Sequence, residues 1–332
     1  MKTAGQTMKT AGDALIEKAP KEAPPLPDEA LKIFANLGRR AIPAIAKNQD
    51  LLERLLAHAQ NLPSRHRLLL GDSRQRLGEL PDESVHLALT SPPYWTLKEY
   101  EAAPGQLGAV SDYEEFLDAL DRVWAEVWRL LVPGGRLVVV VGDVNIPRKN
   151  RVFKRHLIFP LHASIQERAR RLGFDNLAPI IWHKIANARF EAGGGGFYGK
   201  PYEPGAVIKN DVEYVLFLRK PGGYRRPSTE QRLASIIPEE EHRLWFRQIW
   251  TLGGESTKGH PAPFPLELAE RLVRMFSFAG DTVLDPFMGS GTSNLAALRW
   301  GRNSIGVEVI GSYLERAVER LLNEPNTKML DS

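Results

Sequence analysis

Thr282-Val283-Leu284-Asp285-Pro286-Phe287-Met288-Gly289-Ser290-Gly291-Thr292 reads as a short apolar strand running into a glycine-rich turn. Before it, Leu266–Phe276 has helical spacing and Gly280-Asp281 makes a turn; after it, Ser293–Trp300 is a helix and Ser304–Val307 a strand ending on Glu308. A βαβ unit with glycines in its first turn and an acid about 20 positions on binds an adenosine and its ribose hydroxyls. The departures from the dinucleotide pattern are informative. Asn294 stands where the third small residue belongs, and Asp285 closes the strand. A pyrophosphate wants bare amides at a helix N-terminus. A carboxylate there repels phosphate and suits a cationic or amine-bearing ligand, which argues for S-adenosylmethionine over a nicotinamide dinucleotide.

Toward the N-terminus the alternation continues. Arg67–Leu70 is a short strand ending in Gly71-Asp72, Arg74–Leu80 a short helix, and Val85–Thr90 a strand. That strand delivers Ser91-Pro92-Pro93-Tyr94-Trp95. Two prolines cannot donate to a ladder and bias the preceding residue toward extended backbone, so a polar side chain and two aromatics are held stiffly at a strand's carboxyl end. Asp112–Leu131 is an amphipathic helix with Phe116, Leu120, Val123, Val127 and Leu130 on one face, ended by Pro133-Gly134-Gly135. The run Arg136–Val141 marks a strand buried on both faces, ending at Gly142-Asp143. Leu157–Leu172 reads as helix, Ala178–Trp182 as strand, and Val212–Leu218 as a strand after the glycine-rich loop 193–196. The class expected is α/β: a doubly wound, mostly parallel sheet with helices on both faces. Ligands bind such sheets at carboxyl strand ends, so the two stretches face each other if their strands are neighbours.

The chain has 332 residues, 43% of them hydrophobic and 25% charged, with a formal net charge of +4 and no cysteine. The first figures are ordinary for a globular protein, and the charge mildly favours a polyanionic partner. Absence of cysteine excludes disulfides, thiolate metal sites and a cysteine nucleophile; no metal is expected. No apolar run reaches the roughly 18 residues that span a bilayer, and Met1–Gly12 lacks a signal-peptide core, so a cytoplasmic, nucleoid-associated protein is expected. Residues 1–27 read as flexible. Residues 28–62 read as a helical extension, with Asp28 as a cap and a break at Pro43; 63–322 form the catalytic domain and 323–332 a tail. Within the domain, 63–143 is a catalytic half, 144–256 the remaining sheet with insertions, and 257–322 a cofactor half.

Ser91-Pro92-Pro93-Tyr94 and Asp285-Pro286-Phe287-Met288-Gly289-Ser290-Gly291-Thr292 together resemble the hallmark motifs of DNA amino-methyltransferases, which methylate cytosine N4 or adenine N6. Catalytic motif first and cofactor motif last is similar to the permuted β-type order. Gly71-Asp72, the stretch 260–265 and Gly306-Val307-Glu308 also match, so the resemblance covers about residues 65 to 322. It implies a Rossmann-like methyltransferase fold with S-adenosyl-L-methionine as cofactor. It also implies that Ser91 and the Pro92 carbonyl, fixed by Pro93, accept from the target amine, while Tyr94 stacks on an extruded base. Asp285, Pro286, Phe287, Gly289, Ser290, Gly291 and Thr292 then line the methionine and ribose region. Glu308 holds the ribose hydroxyls, Asp72 lies near the adenine end, and Phe264 borders the cofactor.

The partner implied is double-stranded DNA. Basic residues with aromatics nearby suit phosphates and unstacked bases, and the candidates are Trp95, Lys98, Arg148, Lys149, Arg151, Lys154, Arg225 and Arg226. A homodimer and a cognate restriction endonuclease acting on the same site are further partners that the sequence leaves open. Serine at the first motif position is commoner in the N4-cytosine enzymes, so that product is expected, with N6-methyladenine as the alternative. More distant alternatives are a nicotinamide oxidoreductase, an RNA or protein methyltransferase, and a DNA-binding protein without turnover.

Overall fold

A computed structural model describes residues 12–20, 22–95, 101, 103–146, 150, 152–184, 211–254 and 264–330. Its strands are β1 (Ala14–Lys18), β2 (Ser64–Leu70), β3 (Val85–Thr90), β4 (Leu131–Val141), β5 (Val144–Ile146), β6 (Leu157–Phe159), β7 (Asp175–His183), β8 (Val212–Arg219), β9 (Ile249–Thr251), β10 (Thr282–Asp285), β11 (Asn303–Glu308) and β12 (Thr327–Leu330). Among the described residues, ten form one sheet in the order β12-β1-β2-β11-β10-β3-β4-β8-β7-β9, and β5 and β6 make a separate hairpin. From β2 to β4 every pairing is parallel. Beyond β4 the sheet turns: β8 runs antiparallel to both β4 and β7, while β7 and β9 are parallel.

The helices are α1 (Asp28–Leu37), α2 (Ala41–Ile45), α3 (Gln49–Gln60), α4 (Ser73–Arg76), α5 (Tyr113–Leu130), α6 (Leu161–Arg171), α7 (Thr229–Leu233), α8 (Glu239–Trp245), α9 (Leu266–Phe276), α10 (Thr292–Arg299) and α11 (Gly311–Leu322). They cover both faces, and β4 shows why its β-branched run is continuous. Leu137, Val139 and Val141 enter the core beneath α5 and α6, whereas Val138 and Val140 enter the core beneath α9 and α10. Successive side chains on a strand point to opposite faces, so a strand buried on both must be apolar throughout. Asp112 caps α5 by accepting from the Glu115 amide at 2.9 Å. Its buried stripe includes Phe116, Leu120, Val123 and Val127, each contributing about 1.5–3 kcal/mol of burial.

Several elements differ from expectation. Residues 14–18 are not flexible; they form a strand paired antiparallel to β2 and β12, with Ile16 fully buried. The tail likewise supplies β12. Short peripheral strands carry too few apolar residues to announce themselves; pairing with the sheet orders them. Leu157–Phe159 is a hairpin strand rather than a helix start, because the helix begins only after Pro160. Pro133-Gly134-Gly135 lies within β4, which starts directly from the end of α5. In the extension, Pro27 takes the cap position of α1 and Asp28 is its first residue. The buried residues of α1 to α3 pack with Leu233 and Ile236 of the α7 region. Among the described residues no helix is long and apolar enough to cross a membrane, and no three His, Cys, Asp or Glu converge as metal ligands.

Candidate active site

β2, β11, β10 and β3 are consecutive in the sheet and parallel, so their carboxyl ends emerge side by side. A cleft opens there with about 580 Å³ of empty space, part of it continuous with solvent. Asp72, Ser91, Pro92, Pro93, Pro286, Phe287 and Glu308 line it, together with Ser73, Gln106, Val307 and Tyr313. Residues far apart in sequence thus share one site because their strands are neighbours.

Asp285 binds the two motifs together rather than facing the cleft. Its carboxylate, 2% exposed, accepts from Thr90 Oγ1 at 2.6 Å, Ser293 Oγ at 2.7 Å and the Phe287 amide at 3.0 Å. Burial pushes its carboxyl up to about 6, and these three hydrogen bonds pull in the opposite direction. These bonds align the ends of β3 and β10.

Glu308 does line the cleft. Its Oε2 accepts from the Gly289 amide and its Oε1 from the Ile310 amide, both at 2.8 Å, so the side chain clasps the glycine-rich turn. Burial pushes it up to about 7 despite those amides, and the neighbouring Asp285 adds to the rise. The other motif residues act behind the cleft. Arg320 of α11 donates to the Ser290 carbonyl at 2.6 Å, to Ser290 Oγ at 3.0 Å and to Thr292 Oγ1 at 3.2 Å, so Ser290 and Thr292 fasten the turn to α11. Gly291 has φ +78°, and a Cβ there would lie 2.8 Å from that of Ala317; only glycine lets the turn sit this close to α11. Phe264 is also away from the cleft, buried in the core with Leu268 and Leu272.

At the β2 end, Asp72 caps α4 and is held by the Arg74 guanidinium, with Nε at 3.0 Å and Nη2 at 2.5 Å. Ser73 Oγ donates to the Pro286 carbonyl, which joins this end to the glycine-rich turn. At the β3 end, Tyr94 is 6% exposed, so its ring is not an open platform. Its hydroxyl accepts from Ser91 Oγ at 3.4 Å and donates to Glu213 Oε2 at 3.2 Å. Trp95, at φ +46°, is 3% exposed and packs edge-on against Tyr113 and Phe159 as part of the core.

Of the basic candidates, Lys98, Arg148, Lys149 and Arg151 lie outside the described residues. Lys154 is exposed. Arg225 pairs with Asp281 just before β10, at the amino edge of the sheet and so on the far side from the cleft, and Arg226 follows it. Lys184 and Glu213 are the polar residues that the sequence reading missed. Both sit at ends of expected strands, but β8 runs antiparallel, which brings its amino end to the carboxyl edge of the others.

A family model described as DNA methylase, for the N6 and N4 amino-methyltransferases, matches residues 85–319. This chain belongs to that family. The type II methyltransferase M.MjaI of Methanocaldococcus jannaschii is 38% identical over 280 residues, covering 75% of this methylase and 88% of the relative. Among solved structures, TTHA0409 of Thermus thermophilus, in complex with S-adenosyl-L-methionine, is 57% identical with a TM-score of 0.65, covering 77% of this chain and 93% of that one. The cytosine-N4-specific PvuII DNA methyltransferase shares the fold at 22% identity and a TM-score of 0.56, over 78% of this chain and 87% of that one. The methylase is therefore an S-adenosylmethionine-dependent DNA methyltransferase with the catalytic motif ahead of the cofactor motif. The cleft fits that cofactor. Glu308 presents its backbone-anchored carboxyl to the cleft as an acceptor for hydroxyls, while Phe287, Pro286 and Val307 offer an apolar wall.

Proposed function

We propose that the methylase transfers a methyl group to the exocyclic N4 amine of a cytosine extruded from duplex DNA. The observation that carries this reading is the Ser91 hydroxyl at the end of β3, opening on the same cleft as Phe287 and Glu308. An exocyclic amine is a poor nucleophile, because its lone pair is delocalised into the ring. Acceptors aimed at its protons favour a pyramidal nitrogen and disperse the charge that develops on it. Ser91 Oγ and the Pro92 carbonyl are such acceptors, and Pro92 and Pro93 restrict how they can turn. S-adenosylmethionine supplies an electrophilic methyl carbon on a positively charged sulfur. Glu308 holds the sugar end of that group, and the Phe287 side aligns the methyl with the amine.

Extruding the base costs a few kcal/mol. The chain has no cysteine, so a covalent adduct of the kind used at cytosine C5 has no nucleophile here. Serine rather than aspartate at the first motif position supports cytosine over adenine. The test is nucleoside mass spectrometry of duplex DNA incubated with the protein and labelled donor. N4-methylcytosine is expected; N6-methyladenine as the sole product overturns the choice of base, and label in RNA or protein but not DNA overturns the substrate.

A further inference from the structure

We infer that Glu213 takes up the proton released by the methylated amine, through a relay from Ser91 and Tyr94, with Lys184 holding it in place. This rests on the amine-transfer reading above. When the nitrogen gains a methyl group it carries one proton too many. The donor sulfur becomes a neutral thioether and cannot accept it, and the hydroxyl of Ser91 alone can only pass it on.

The hydrogen bonds point one way. Ser91 Oγ donates to Tyr94 Oη at 3.4 Å, and Tyr94 Oη donates to Glu213 Oε2 at 3.2 Å. Both contacts are long, as catalytic hydrogen bonds often are before substrate closes the site. Glu213 Oε1 is taken by Lys184 Nζ, which leaves Oε2 for the tyrosine. Lys184 lies 4.4 Å from the centre of the Trp182 ring, and both charged side chains are 15% exposed. Gly142, at the end of β4, is where they meet: a Cβ there would lie 3.1 Å from Glu213 Cγ and 3.3 Å from Tyr94 Cε1.

In the step, the amine N–H bond breaks and its electron pair stays on nitrogen. The proton passes to Ser91 Oγ as the serine's own proton moves to Tyr94 and the tyrosine's moves to Glu213. The products are a neutral methylamine and a carboxylic acid, and the partly exposed Glu213 returns the proton to solvent. Glu213 touches no substrate atom; it is a positioning residue and a proton sink acting through Tyr94. A mere brace would hold β7 to β8 equally well without aiming an oxygen at Tyr94.

The experiment compares the full chain with Glu213→Gln, Tyr94→Phe and the double variant in labelled-methyl transfer to duplex DNA, with donor affinity by calorimetry. Each single variant is expected to lose about 100-fold in kcat, as removal of a general base does. KM for DNA and Kd for S-adenosylmethionine should stay within about twofold, since neither group contacts the donor. The double variant should be no slower than the slower single one. Undiminished turnover in either single variant overturns the relay, as do multiplicative losses or loss of donor binding in step with kcat. Should Glu213→Gln not fold, Tyr94→Phe decides, because it keeps the ring and removes the hydroxyl. Absence of transfer by the wild-type chain overturns the amine reading itself and the relay with it.

Discussion

Thr90 Oγ1 donates to Asp285 Oδ1 at 2.6 Å, joining two residues 195 positions apart that end adjacent strands, β3 and β10. The residue after Thr90 is Ser91, and two residues after Asp285 comes Phe287. One buried hydrogen bond therefore registers the acceptor side of the cleft against the cofactor side.

Thr90→Val keeps the shape and removes the donor. Asp285 Oδ1 keeps the Phe287 amide but loses its hydroxyl donor in a buried site, which costs about 1–3 kcal/mol. Urea denaturation should show that loss, with turnover falling further than stability alone explains. An unchanged midpoint together with unchanged turnover would mean the bond does not set the register.

Ser91→Ala should lower kcat by at least about tenfold while donor affinity changes less than about twofold, because Ser91 acts on the amine and not on the donor. Single-turnover kinetics and calorimetry together check this. Equal loss in both would make Ser91 a structural residue.

Gly291→Ala places a Cβ 2.8 Å from that of Ala317 on a backbone at φ +78°. The turn must move away from α11, and the expected cost is about 1–3 kcal/mol with weaker donor binding. Thermal unfolding with and without S-adenosylmethionine measures both. Wild-type values for both would show that α11 yields freely.

Glu308 gives a pH dependence whose sign follows from its raised carboxyl. Folded, it gives up its proton near pH 7; unfolded, it does so near the ordinary 4.5. Between these values the folded state holds a proton the unfolded state has released, so this residue's contribution to stability is lost as pH rises through that window. Glu308→Gln cannot titrate. The wild type minus variant difference in unfolding free energy should fall by about 1–3 kcal/mol between pH 5 and pH 8. A constant difference would show that the amides of Gly289 and Ile310 outweigh burial.

The βαβ unit at 282–308 and the buried strand at 137–141 were legible because glycine turns, prolines and two-faced burial leave marks in local sequence. The cleft followed from them, since parallel neighbours align their ends. What local sequence could not show was orientation across space. Asp285 reads as a ligand contact, but Thr90 and Ser293 approach from other elements and bury it. Arg225 is as basic as any candidate, yet the chain carries it to the amino edge, where Asp281 neutralises it. Glu213 was hidden by a strand running the other way. Trp95 beside the motif turned inward because Tyr113 and Phe159 offered it a packing site.

The pairing of β1 with β12 has a consequence for how the motifs are ordered along the chain. Leu15 stands opposite Leu330, and the Ala19 amide donates to the Asn326 carbonyl at 3.0 Å. β1 and β12 are thus antiparallel neighbours, and a short peptide could join them to make a closed loop of chain. Reopening that loop ahead of α9 would yield a circular permutant that begins with the cofactor half and carries the catalytic half after it, with the Thr90–Asp285 contact intact. Which motif is translated first is then a matter of where the loop is cut, and not of what the sheet requires.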